Sequence, residues 1–162
     1  MKDIEVFMDE GQIDMEVINQ YEKKLGYTFP VNYKELLSKH NGLNFLNFFF
    51  NFLNIYDTKD CRDIYFYAFA NENLDNLYCN GFVGNQIGDD YFPKELVDFG
   101  GCANGDIVCF DYRDNPRTDN PKIVLVYHDD YIENEDGTSY MVVNFVANSF
   151  EEFIDMLYEY KE

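Results

Sequence analysis

Basic side chains are scarce in this chain: Lys and Arg together number 12 against 31 Asp plus Glu, leaving a formal net charge of −19. A field of that sign repels phosphate backbones and anionic lipid, so neither nucleic acid nor a membrane surface is an expected partner. It attracts a basic protein, but acidity also keeps an aromatic-rich surface soluble, and net charge alone does not separate the two readings. Histidine occurs only at His40 and His128, too few for a multi-histidine metal centre. Cys61, Cys79, Cys102 and Cys109 contain no Cys-x-x-Cys pair and read as reduced thiols, mostly small core residues. Their even number permits a disulfide that no spacing supports.

Long apolar runs are missing too. The greasiest stretch, residues 43–56, is interrupted by Asn44, Asn47, Asn51 and Asn54, short of the ~18 uninterrupted apolar residues that a span requires. No basic region leads into an apolar stretch after Met1, so no secretory signal is visible and the cytoplasm is the expected location. Neither Gly-x-Gly-x-x-Gly nor Gly-Lys-Ser/Thr occurs, so the glycine-dense run at residues 100–106 reads as a turn leading into a strand and not as a phosphate cradle. Gly-x-Ser-x-Gly is absent as well.

What the chain does have is apolar bulk. Its 16 Phe and 14 Tyr supply enough area for a buried core, and 162 residues fit one domain, expected to span residues 1–162. Val17, Ile18, Tyr21 and Leu25 fall on one face of a helix over residues 14–25, closed by Gly26. Pro30 is placed to open a second helix, whose stripe is Tyr33, Leu36, Leu37 and His40 and whose stop is Asn41-Gly42. Residues 43–56 carry Asn at helical spacing but Phe-rich filling; we read a strand, pairing as a hairpin with a second strand over residues 64–69. Residues 71–91, rich in Asn, Asp and Gly, read as loop with at most one short helical turn or strand. Strands follow over residues 106–112, 122–128 and 140–146. Ser149 with Glu152 is a capping-box signature, opening a last helix with the stripe Phe150, Phe153, Ile154 and Leu157. The expected class is α+β: an antiparallel sheet of about five to six strands with two N-terminal helices and one C-terminal helix.

The candidates for chemistry are weak. Adjacent acids such as Asp89-Asp90 and Asp129-Asp130 point to opposite faces of a strand, and Asp111 with Asp114 has no metal-site pattern around it. Ahead of Gly137 the alternate positions Ile132, Asn134 and Asp136 fail a calcium loop, as does Val143 at the place of the bidentate acid, so residues 129–136 read as a solvated acidic loop. Cys109 and His128 lie on neighbouring expected strands, where a buried thiol is the commoner explanation than a nucleophile. A hydrolase using the Asp cluster or Cys109 is the enzymatic alternative. No cofactor and no metal site is expected.

Several segments resemble the SUKH superfamily, which contains fungal cell-wall synthesis regulators and bacterial immunity proteins. They are Tyr21-Glu22-Lys23-Lys24-Leu25-Gly26 with Phe29-Pro30, Tyr33, Leu36-Leu37 and Asn41-Gly42, then Phe92-Pro93 before Leu96-Val97-Asp98-Phe99-Gly100. Gly105-Asp106 leading into Cys109-Phe110-Asp111-Tyr112-Arg113, and residues 146–153, are similar in the same order. The chain departs in lacking Trp and in its Asn/Phe-rich insert. The resemblance implies a non-enzymatic binding domain, in bacteria commonly an immunity protein that neutralises a toxin, often a nuclease; the alternative is a regulatory or scaffold module that binds an endogenous protein or peptide. Acidity fits cover of a basic cleft. The expected contact residues lie on acidic loops: Asp89, Asp90, Asp114, Asp119, Asp129 and Asp130, with Tyr91 and Tyr131 as aromatic anchors.

Overall fold

The computed structural model describes residues 1–70 and 81–161. Residues 71–80 of the loop expected over residues 71–91, Cys79 among them, lie outside the described residues. Helix α1 spans Met15–Leu25; the Asp14 carboxylate accepts from the Glu16 amide at 2.9 Å, and Gly26, at φ 81°, closes the helix in the left-handed region. Helix α2 spans Val31–Lys39. Pro30 stands one position earlier than its sequence position suggests: it is extended (φ −57°, ψ 139°), and its carbonyl accepts from the Lys34 amide at 3.0 Å, so it caps the helix instead of opening it. Helix α3 spans Phe150–Met156, with Ser149 Oγ accepting from the Glu152 amide at 3.1 Å. The Glu152 carboxylate answers one residue further back than a capping box requires, on the Asn148 amide.

Strands β1 (Val6–Met8) and β2 (Asn44–Phe45) form one antiparallel pair, and β3 (Phe49–Leu53) and β4 (Lys59–Asp63) form another. The main sheet is an antiparallel meander of β5 (Tyr65–Phe66), β6 (Leu96–Gly101), β7 (Ile107–Asp111), β8 (Lys122–Glu133) and β9 (Ser139–Ala147). The fold is therefore α+β, with two helices before the sheet and one after it.

Strand β6, residues 107–110 of β7 and residues 123–127 of β8 are buried on both faces, so β7 and the inner half of β8 read as apolar runs without alternation. Val97, Phe99, Val108, Phe110, Ile123 and Leu125 pack in one core with Ile18, Phe29, Tyr33 and Phe153 of the helical layer. On the opposite face Leu96, Ile107, Cys109, Val124 and Val126 make a second cluster, closed by Phe92. Among the described residues no helix is long and apolar enough to cross a membrane.

Three local expectations need correction. The Asn/Phe segment is two strands, and its hairpin partner is residues 59–63, not 64–69. The cause is a tight turn: Asn54 Oδ1 accepts from the Tyr56 and Thr58 amides at 2.9 and 3.1 Å, and Asp57 takes φ 59°. The chain thus returns at once through the charged stretch Lys-Asp-Cys-Arg-Asp, which has no apolar signal. Of residues 64–69 only Tyr65–Phe66 is strand, paired with Gly101 and Gly100 at the sheet edge. Those glycines serve close approach, since a Cβ on Gly100 would lie 2.8 Å from the Tyr65 carbonyl oxygen; the turn itself runs from Cys102 to Gly105, whose φ is 99°. Finally, Asp129–Glu133 is not loop but the outer half of β8, with Tyr131, Ile132 and Glu133 opposite Met141, Tyr140 and Ser139.

Candidate protein-binding surface

The β8–β9 ladder is broken by a wide bulge, for Val126 faces Val143 and the next partners are Tyr131 and Met141. Beyond it the hairpin turns back over the second face of the sheet. By strand register Arg113 and Ile132 belong to opposite ends of the meander, yet both line one groove of about 410 Å³ with Pro93, Lys94, Tyr140, Met141 and Val143. A second groove of about 480 Å³ shares Pro93, Lys94 and Tyr140 and adds Asp89, Asp90, Leu25 and Tyr27. The segment bearing Phe92 is tied down from both sides: the Gln86 amide donates to the two Asp98 carboxylate oxygens at 3.2 and 3.3 Å, and the Met141 amide donates to the Tyr91 carbonyl at 3.0 Å. Burial pushes the Asp98 carboxyl up to about 6, against the lowering effect of backbone amides at Gln86 and Asn85.

The eight residues expected on acidic loops do not make one patch. Tyr91 and Tyr131 meet edge to face, with ring centroids 5.8 Å apart, and Asp89 and Asp90 stand exposed just before Tyr91 in sequence. Asp129 and Asp130 sit on the bulge, where the Tyr56 hydroxyl donates to Asp130 Oδ2 at 3.0 Å. Asp114 and Asp119 belong to the β7–β8 connection at the other end of the strands. Asp114 is paired with Lys122 at 3.0 Å, and Asp119 borders a shallow depression with Pro30, Val31 and Glu151.

Reactive arrangements are committed to structure among the described residues. Asp106 is buried, and its carboxylate accepts from the His128 amide at 3.1 Å, from Arg62 Nε at 3.0 Å and from Asn104 Nδ2 at 3.0 Å, with His128 Nδ1 at 2.7 Å. Burial pushes this carboxyl up, but bonds from His128, Asn104 and Arg62 outweigh it and the net direction is down. Asp106, His128 and Asp129 come close enough to offer three ligand atoms to an ion. The guanidinium already on Asp106 would oppose it, so the cluster fits a stitch between β4, β7 and β8 better than a metal centre. The other histidine, His40, pairs with Asp9 at 2.7 Å. Cys109 is fully buried with its thiol driven well up by desolvation, and Cys102 is raised for the same reason; Cys61 is exposed beside the Tyr158 hydroxyl at 3.3 Å. Asp111 is held two-pronged by Arg113 at 2.9 Å on each arm.

Sequence reasoning missed Leu53, Ile55, Tyr56 and Phe145, all exposed large apolar side chains around the β3–β4 turn and β9. The one signal available was Asn54 with Asp57, a turn pair carrying Ile55-Tyr56 at its apex.

Helices on one face of an antiparallel meander and a second apolar cluster on the other define an α+β domain. The model of the SMI1/KNR4 family (SUKH-1) matches residues 12–156, and the chain belongs to that family. Comparison with curated proteins finds no match, and comparison with solved structures finds none either.

Proposed function

We propose that this chain is a non-catalytic protein-binding domain of the SUKH group, acting in the cytoplasm as an immunity protein that neutralises a basic, nuclease-type toxin. Family membership supplies the class, since immunity proteins and regulators are what the group is known for. The observation that carries the reading is where the charge lies. The two histidines, the buried cysteines and Asp106 are tied into the fold, whereas Asp89, Asp90 and Asp129 stand in solvent near exposed tyrosines. Such a surface steers a cationic protein by its field and holds it by aromatic contact, covering a nucleic-acid cleft without turning anything over.

The test is co-expression with a toxin-like domain taken from a gene neighbouring this one. Rescue of growth, together with a one-to-one complex whose association slows as salt rises, is the expected result. Unaltered toxicity with no complex would sink the reading.

A further inference from the structure

We propose that the tip of the β3–β4 hairpin and the bulge of β8 form a single docking surface, and that its occupant is a basic protein domain. This rests on the binding reading above and adds to it the surface on which binding occurs. The insert that supplies the hairpin has no role in the helical layer's packing at its outward positions. Phe50 and Phe52 point into the core, while Leu53, Ile55 and Tyr56 are 58%, 45% and 69% exposed. An apolar group of this size left in water on a folded, charged domain is the composition of an interface centre.

The parts are locked together. The Asn144 carboxamide donates to the Leu53 carbonyl at 3.1 Å and to the Phe145 carbonyl at 2.9 Å, and accepts from the Tyr127 hydroxyl at 3.0 Å, which fastens the hairpin beside β9. The Tyr56 hydroxyl donates to Asp130 on the bulge, and Asn54 fixes the turn from within. Anchors presented this way have already lost much of their freedom before a partner arrives, so little ordering cost remains for binding.

Charge selects the occupant. Asp57, Asp60, Asp106, Asp129 and Asp130 gather at this end, against the cations Lys59 and Arg62, and Arg62 is already spent on Asp60 at 2.8 Å and Asp106 at 3.0 Å. The residual field is negative around an apolar centre. A second copy would bring like charge against like, and a nucleic acid would do the same; a cationic protein surface is complementary.

The probe is the purified toxin domain from the co-expression test. Wild type, Tyr56→Ala and Asp129→Lys are compared with Glu35→Gln on α2, each first shown to keep the wild-type melting temperature and circular dichroism. Tyr56→Ala is expected to weaken binding by about tenfold or more, chiefly in dissociation, and Asp129→Lys to slow association by about tenfold, with Glu35→Gln unchanged. Binding by wild type with both hairpin-end variants equal to Glu35→Gln overturns this surface and leaves the binding reading standing. No binding by wild type overturns that reading and the surface with it. Self-association that Tyr56→Ala dissolves would assign the face to a second copy and overturn the basic occupant.

Discussion

Tyr33 is fully buried at the centre of the aromatic core, edge to face with Phe99, Phe110 and Phe150, and its hydroxyl has no hydrogen-bond partner among the described residues. A desolvated donor left unpaired costs about 1–3 kcal/mol, and the ring contacts do not depend on it. Tyr33→Phe is therefore expected to raise stability by about 1 kcal/mol in urea unfolding; a loss would show that the hydroxyl has a partner after all. Asp98 is the second residue under tension, because it is buried with its pKa raised to about 6 from an ordinary value of 3.8. An acid raised in the folded state binds more protons there than in the unfolded chain between those two values, so it favours folding at low pH and this contribution is lost as pH climbs through about 6. Removing it should flatten that slope: Asp98→Asn is expected to gain about 2 kcal/mol relative to wild type at pH 7.5 and little at pH 4. Equal gains at both pH values would place the tension elsewhere.

At the scale of elements, close backbone approach decides which substitutions the sheet tolerates. A Cβ on Gly100 would sit 2.8 Å from the Tyr65 carbonyl oxygen and 3.1 Å from Ile64 Cδ1, so β5 would have to leave β6. Gly100→Ala is expected to cost about 1–3 kcal/mol and to speed amide exchange at Tyr67, whose amide bonds the Phe99 carbonyl at 2.8 Å. The three helices were legible in the sequence because periodicity, caps and stops agreed: Asp14 and Gly26 around α1, Ser149 before α3. So were the inner halves of β7, β8 and β9, which are apolar on both faces or one. β4 was not, since its five residues include four charged ones and owe their strand geometry to the Asn54–Thr58 turn. The outer half of β8 was hidden by acidity, which marks exposure and says nothing about backbone pairing. The candidate contact residues came from composition alone. Composition had no means of seeing that Tyr91 and Tyr131 meet edge to face or that the bulge brings Asp130 to Tyr56.

For the whole molecule the excess of acid acts on folding and on binding with opposite signs. The described ion pairs engage only a minority of the 31 carboxylates, among them Lys34–Glu22, Arg62 with Asp60 and Asp106, Arg113–Asp111 and Lys122–Asp114. The rest repel one another across the surface, and that repulsion is relieved when the chain expands. Sodium chloride screens it, since the Debye length falls from about 30 Å at 0.01 M to about 8 Å at 0.15 M. The melting temperature of the isolated chain at pH 7.5 is thus expected to rise over that salt range, while its association with a basic partner slows over the same range. A melting temperature that falls with salt would mean that the few ion pairs outweigh the many unpaired acids. If instead both responses appear together in one salt series, the surplus charge is destabilising for the folded chain alone and favourable only when a cationic surface faces it.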